Sequence, residues 1–386
     1  MQDFVRHDGD GFRLARPTAG GRCVLNLAHW SSELDAVFRD NVDIHVVQQA
    51  PWVDGGTPIL ARLARYVSQI HALTIGREDA GDLGILNEFT QLEQLTLGQP
   101  TDAIDFGLLS RLRAVSLNPG ATLGRVTQAP TLESIELSSV PIRELAELSH
   151  LRTLRRLVLR QILSLKSLDG IEVFPLEHLA LTYINRLTSV KALCGLQHLR
   201  SLQIDGASKA LDGDAISRLG ALEVLELDNG PALPSLEGFG AMPFLMSMRV
   251  LNTPIGSGPC SISPLSNART LRQLHLCGEK RSLENLIDID RLGSLINLQQ
   301  LALDHLGDVP TLAWIRNLVQ LESFALGGGR LVDGDVSALF DLPSLIYVDI
   351  TARGIKRTAP EYQELKRRVS ARGEKARGAH TGGARS

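Results

Sequence analysis

Asp205 and Asp228 stand 23 residues apart, and Glu226 stands two residues before the second of them. Three carboxylates gathered on one surface can coordinate a divalent cation or hold a basic protein; left in water, they are only a solvated acidic patch. A second set, His275, Cys277 and Asp304, has the residue types of a thiol nucleophile with its base. A third, Arg156, Arg160 and His178, can grip a carboxylate or phosphate, or be an incidental charged face. Glu226 and Arg249, again 23 residues apart, carry opposite charge, and an exposed ion pair between them would contribute under about 1 kcal/mol. None of these sets is a contiguous motif, so their chemistry depends on the elements that carry them.

Those elements are set by a repeat. Thirteen times between Ile70 and Ile350 the chain reads apolar-x-x-apolar-x-apolar, as at Leu92-x-x-Leu95-x-Leu97, Leu222-x-x-Leu225-x-Leu227 and Leu298-x-x-Leu301-x-Leu303. The register starts at Ile70, Leu92, Leu112, Leu132, Leu154, Leu176, Leu199, Leu222, Leu245, Leu271, Leu298, Leu321 and Leu345, in steps of 20 to 27 residues. The apolar-x-apolar end alternates as a strand does, sending two apolar side chains inward. A lone short strand cannot bury that face, whereas parallel stacking buries a continuous apolar ladder, at roughly 1.5–3 kcal/mol for each large side chain removed from water. Between strands the apolar residues fall every third position, as at Ile142, Leu145, Leu148 and Leu151, or Leu286, Ile289, Leu292 and Leu295. That spacing suits short 3₁₀ turns, in which residues three apart eclipse.

Over Ile70 to Ile350 the pattern resembles the leucine-rich repeats of about 22 residues found in phosphatase regulatory subunits and internalins. The resemblance implies an α/β solenoid: a horseshoe with a parallel concave sheet, short 3₁₀ or helical turns on the convex side, about thirteen repeats and a cap at each end. It also implies a binding task rather than an activity. One departure stands out. That class commonly places Asn at the ninth position, where its amide bonds to neighbouring backbone, but the first six ninth positions here are Glu78, Pro100, Gly120, Val140, Ile162 and Ile184. Asn229 and Asn252 sit one place earlier; elsewhere the backbone groups need other partners, and some turns should be irregular.

The repeat fixes which side chains face the open side of the sheet, namely positions three, five and seven. The fifth-position column runs through Glu136, Val158, Ala180, Gln203, Glu226, Arg249, His275 and Ala302, and the seventh through Arg160, Thr182, Asp205, Asp228, Leu251, Cys277 and Asp304. Arg156 and His178 are third-position residues. The candidate partner-binding face is therefore Glu136, Arg156, Arg160, His178, Gln203, Asp205, Glu226, Asp228, Arg249, His275 and Asp304. No catalytic residue is assigned. His275 and Cys277 alternate on one strand about 7 Å apart, and an open face neither excludes water nor supplies an oxyanion hole. Zinc-finger spacing and a phosphate-binding glycine loop are both absent from the sequence, so no metal or cofactor is assigned; Gly327-Gly328-Gly329 follows a strand but lacks the Lys-Ser/Thr ending.

The rest of the chain divides around the repeats. Residues 1–66 read as an amino-terminal cap of degenerate repeat-like strands, at Phe12-x-Leu14, Val24-Leu25-x-Leu27 and Ile44-x-Val46-Val47, with helical stretches near Glu33–Phe38 and Thr57–Tyr66. Asp8-Gly9-Asp10-Gly11 reads as a hairpin turn, since the other ligands of a calcium loop are missing. Residues 67–352 are the solenoid. Residues 353–386 read as a capping helix, with Tyr362, Leu365 and Val369 on one face, and beyond Ala371 a disordered basic tail. That segment holds 10 Lys and Arg against 3 Glu, while the preceding residues hold 30 against 40, so an acidic body carries a basic end. Nucleic-acid or acidic-surface binding through that end is the alternative to a protein partner. The four cysteines are unclustered and read as free thiols, Arg outnumbers Lys 33 to 7 as in GC-rich bacterial genomes, and no secretory or membrane-spanning stretch is evident. The expectation is a monomeric cytoplasmic protein that binds another protein as inhibitor, adaptor or immunity-type neutraliser.

Overall fold

The computed structural model describes residues 3–6, 12–16, 22–41, 43–48, 57–76, 80–206, 212–255, 259–278 and 286–382. Asp8-Gly9-Asp10-Gly11 lies outside them. The chain forms two units, Met1–Leu176 and Glu177–Ser386.

The first unit opens with β1 (Asp3–Arg6) antiparallel to β2 (Phe12–Arg16), which is antiparallel to β3 (Cys23–Leu27). Helix α1 (Leu34–Asp40) then returns the chain to β4 (Ile44–Gln48), parallel to β3. Trp30, Phe38 and Tyr66 stack beneath this entry, with the Phe38 and Tyr66 centroids 4.2 Å apart. Helix α2 (Ile59–Leu63) and a 3₁₀ turn lead into β5 (Ile70–Ile75), where the repeats begin. β6 (Gln94–Leu97), β7 (Ala114–Leu117), β8 (Ser134–Ser138) and β9 (Arg156–Arg160) follow, each parallel to the one before in one-to-one register.

The second unit continues the pattern with β10 (His178–Thr182), β11 (Ser201–Asp205), α3 (Gly213–Ser217), β12 (Val224–Asp228) and β13 (Ser247–Leu251). Next come β14 (Cys260–Ser261), β15 (Gln273–Cys277), β16 (Leu286–Ile287), β17 (Gln300–Asp304), β18 (Asp308–Val309), β19 (Ser323–Gly327), β20 (Arg330–Leu331) and β21 (Tyr347–Ile350). The long strands β10 to β13, β15, β17, β19 and β21 form a parallel ladder. The two-residue strands pair separately, β14 with β16 and β18 with β20. Each repeat thus has its strand where the leucine register expects it, and 3₁₀ turns such as Leu145–Leu148 and Ile289–Ser294 cover the side away from the long strands. Leu225 and Leu227, the inward pair of β12, are 0% and 1% exposed.

In place of an asparagine ladder, eight of the units turn out of the strand through a left-handed residue at the eighth position. Ser139, Gln161, Tyr183, Asn229, Asn252 and His305 all have φ between 46° and 55°, and Gly206 and Gly328 have φ 68° and 65°. The left-handed conformation costs a non-glycine residue roughly 1–2 kcal/mol, so the arrangement needs a return. The return is a backbone hydrogen bond into the following unit. The Tyr183 N–H donates to Asp205 O at 2.7 Å, Gly206 to Asp228 O at 2.9 Å and Asn229 to Leu251 O at 3.1 Å. Groups that would otherwise be orphaned where the strand ends are thereby paired.

Helix α4 (Pro360–Gly382) closes the edge of the second unit. Tyr362, Leu365 and Val369 are buried as the helical pattern expects. The edge strand's polar groups are met by side chains: Ile350 N–H donates to the Tyr362 hydroxyl at 3.2 Å, and Lys366 Nζ donates to Val348 O at 2.6 Å. An uncovered edge would offer those groups to another chain. Tyr362→Phe is expected to lower stability by about 1–2 kcal/mol, read from the denaturant midpoint, because it strands the buried Ile350 N–H. The sequence reading expects order to end near Ala371; the helix instead runs to Gly382. Contact with the unit persists past that point. Arg372 donates to Leu342 O at 2.6 Å, and a Cβ at Gly373 would come within 3.2 Å of Ile346 O. The Glu374-Lys375-Ala376 run that follows has good helix propensity.

Candidate functional site

The strand registers bring the sequence-derived columns together. On the second unit, Gln203, Glu226, Arg249, His275 and Ala302 are successive partners across β11, β12, β13, β15 and β17. Asp205 pairs in register with Asp228, and Cys277 with Asp304. On the first unit, Glu136 stands on β8, with Arg156 and Arg160 on β9; His178 begins β10 in the second unit.

The acidic row does not form a cation site. Asp205 Oδ1 accepts from Asn229 Nδ2 at 3.1 Å, and Asp228 Oδ1 accepts from Asn252 Nδ2 at 3.1 Å. Each aspartate is thus clasped by the left-handed asparagine of the next unit. Glu226 turns to Arg249, whose guanidinium lies 3.2 Å away. Among the described residues, these carboxylates do not converge closely enough to share an ion. What they build is a half-exposed acidic row held rigid by backbone and amides.

The basic set is also resolved by its neighbours. Arg160 Nε lies 2.8 Å from Glu136 Oε1, so its charge is balanced within the first unit, and the expected grip on an anion loses that member. Arg156 and His178 are exposed strand residues.

His275 is not the partner of the thiol and carboxylate. Burial lowers its pKa, with Arg249 adding to the effect against the opposing pull of Asp304 and Asp228, so its imidazole stays neutral at neutral pH. The residue beside Asp304 is His305, whose Nδ1 lies 2.8 Å from Asp304 Oδ1. Cys277, Asp304 and His305 bring their ligand atoms within 4.8 Å of one another. Strand alternation points His275 and Cys277 alike and says nothing of His305, which enters only because the eighth position turns left-handed. Two aspects of the sequence bore on it: His305 adjoins Asp304, and it occupies the position held in other units by Gly206, Asn229 and Gly328.

A further feature lies at the strand entrances. An open cavity of about 570 Å³ is lined by Glu223, Met246, Arg272 and Gln299, each following the first apolar residue of its unit, together with Phe244, Arg269, Thr270, Asn297 and Gln320. Phe244 is 58% exposed. Positions three, five and seven, on which the sequence reading concentrated, do not include these residues.

The sequence matches no protein-family model and no curated protein. Solved structures do share its fold. An internalin from Listeria monocytogenes is 18% identical, with a TM-score of 0.50, over 78% of this chain and 80% of that one. An LRR protein of Leptospira interrogans is 16% identical, with a TM-score of 0.51, over 81% and 97% of the two chains. TLR13, in its complex with ssRNA13, is 16% identical, with a TM-score of 0.52, over 87% of this chain and 62% of that one. At these identities the likeness is one of fold, and the fold is the leucine-rich repeat solenoid.

Proposed function

We propose that the protein is an interaction module that holds a partner protein against the open, concave face of its parallel sheet. The observation that carries this reading is the row Asp205, Glu226 and Asp228 with its flanking Gln203 and Arg249, in register on adjacent strands and pinned by Asn229 and Asn252. A rigid acidic row spends little entropy on binding and favours a partner with a basic surface, steering its approach. His275 follows Arg249 in the same column, Asp304 and His178 stand on the same face of the second unit, and Glu136, Arg156 and Arg160 add a mixed, partly basic surface on the first unit. The role is that of an inhibitor, adaptor or immunity-type neutraliser, with no catalytic residue, acting as a cytoplasmic monomer. Among the described residues no helix is long and apolar enough to cross a membrane.

The alternative, an anionic partner held by the basic carboxy-terminal segment, is the weaker reading because four of its basic side chains are already engaged within the chain. Arg367 and Arg368 both bond Glu364, whose pKa these contacts pull down to about 2. Lys366 and Arg372 donate to backbone carbonyls.

The test uses Asp205→Asn with Asp228→Asn, which removes both charges and keeps a side-chain oxygen for each asparagine clasp. The partner captured from native lysate by the wild-type chain should bind the variant at least tenfold more weakly, about 1.4 kcal/mol, with an unchanged melting curve. Equal affinity would remove the acidic row from the binding face.

A further inference from the structure

Cys277 ends β15, Asp304 ends β17, and His305 follows in the left-handed position. Asp304 Oδ1 and His305 Nδ1 are buried atoms that make no hydrogen bond of acceptable geometry, although they lie 2.8 Å apart. A buried carboxylate oxygen and a buried imidazole nitrogen thus lie side by side without a hydrogen bond, two donor atoms that one cation can share. Leaving such groups unsatisfied is costly unless something bridges them.

The surrounding backbone is shaped to the trio. A Cβ on Gly327 would come 2.5 Å from Asp304 Oδ1, and one on Gly328 would come 2.6 Å from the His305 ring. Gly327-Gly328, which as a phosphate loop lacks its ending, serves here to bring the next unit's backbone over the carboxylate and imidazole. On the other side, Gly278 lies against His305 O, where an added Cβ would sit 2.5 Å away. Backbone thus packs closely against Asp304 and His305 from two sides, while the side chains keep a partly exposed face.

We propose that Cys277 Sγ, Asp304 and His305 bind a divalent transition metal of the zinc class. Thiolate, imidazole and carboxylate together are the donor set of zinc rather than of calcium or magnesium, which prefer oxygen alone. Tetrahedral bonds of about 2.0–2.3 Å put ligand atoms roughly 3.3–3.7 Å apart, within the span of the trio. Three protein ligands leave one position of the tetrahedron open to water or to a donor from a partner.

Cobalt(II) chloride, titrated into the metal-stripped full chain, is the direct probe, because a thiolate ligand adds a near-ultraviolet charge-transfer band and tetrahedral geometry gives intense visible bands. One equivalent should produce both, and zinc should displace it. Cys277→Ser should abolish the charge-transfer band and weaken zinc binding at least tenfold. His305→Asn, which suits the left-handed backbone, should weaken zinc equally, whereas Cys194→Ser, at an exposed cysteine, should bind as the wild type does. Melting curves of the metal-free proteins separate ligand loss from misfolding. A wild-type chain with no cobalt spectrum overturns the proposal, as does a charge-transfer band that survives Cys277→Ser.

Discussion

Leu225→Asp is expected to abolish cooperative unfolding of the chain. Leu225 is 0% exposed in the middle of the second unit's ladder, flanked in register by Leu202 and Met248. The substitution forfeits the burial of the leucine, roughly 1.5–3 kcal/mol, and leaves a cavity. It also places a carboxylate where no donor exists, at a further cost of several kcal/mol even if the acid is protonated. The sum exceeds about 5 kcal/mol, comparable with the whole stability of many domains. Solenoids transmit such damage because each repeat is stabilised through its neighbours, so the break interrupts stacking on both sides. Circular dichroism during heating checks it: the variant should show no sigmoidal transition, and an unchanged melting curve would refute the inward register.

Gly240→Ala should cost about 3 kcal/mol although it changes one hydrogen for a methyl. Gly240 lies in the 3₁₀ turn Phe239–Ala241, and its Cβ would meet Pro264 O, in the turn Ser263–Asn267 of the following unit, at 1.8 Å. Backbone cannot yield as a flexible side-chain end can, so the two turns must separate by more than an ångström and lose packing along their length. The left-handed conformation plays no part here; the glycine is required by close approach alone. Gly220→Ala is the matched control, since its added methyl meets nothing within 4 Å. That variant should be neutral or slightly stabilising, through the lower entropy of its unfolded chain. Urea midpoints of the two variants beside wild type give the comparison, and equal midpoints would show that the turns are not tightly stacked.

What the sequence determined by itself was the ladder and everything that follows from alternation. The spacing of Leu92, Leu95 and Leu97, repeated through Leu345, specifies which residues turn inward, because a one-residue slip would expose the entire leucine set. Glu226 beside Arg249, and Asp205 beside Asp228, follow from that register without any further information. The three-residue apolar spacing likewise marks the 3₁₀ turns, and Tyr362, Leu365 and Val369 mark the buried face of α4.

Only the tertiary structure decided what happens where alternation stops. In eight of the units the backbone turns left-handed at the eighth position, and the direction of a side chain there depends on the turn and on the next unit's backbone rather than on any period. The asparagines of units eight and nine accordingly clasp Asp205 and Asp228, withdrawing them from a shared cation. For the same reason His305, and not His275, stands with Cys277 and Asp304. The length of α4 was hidden differently: beyond Ala371 its hold on the unit rests on a long-range bond from Arg372 to a backbone carbonyl, and such a contact has no sequence period to betray it.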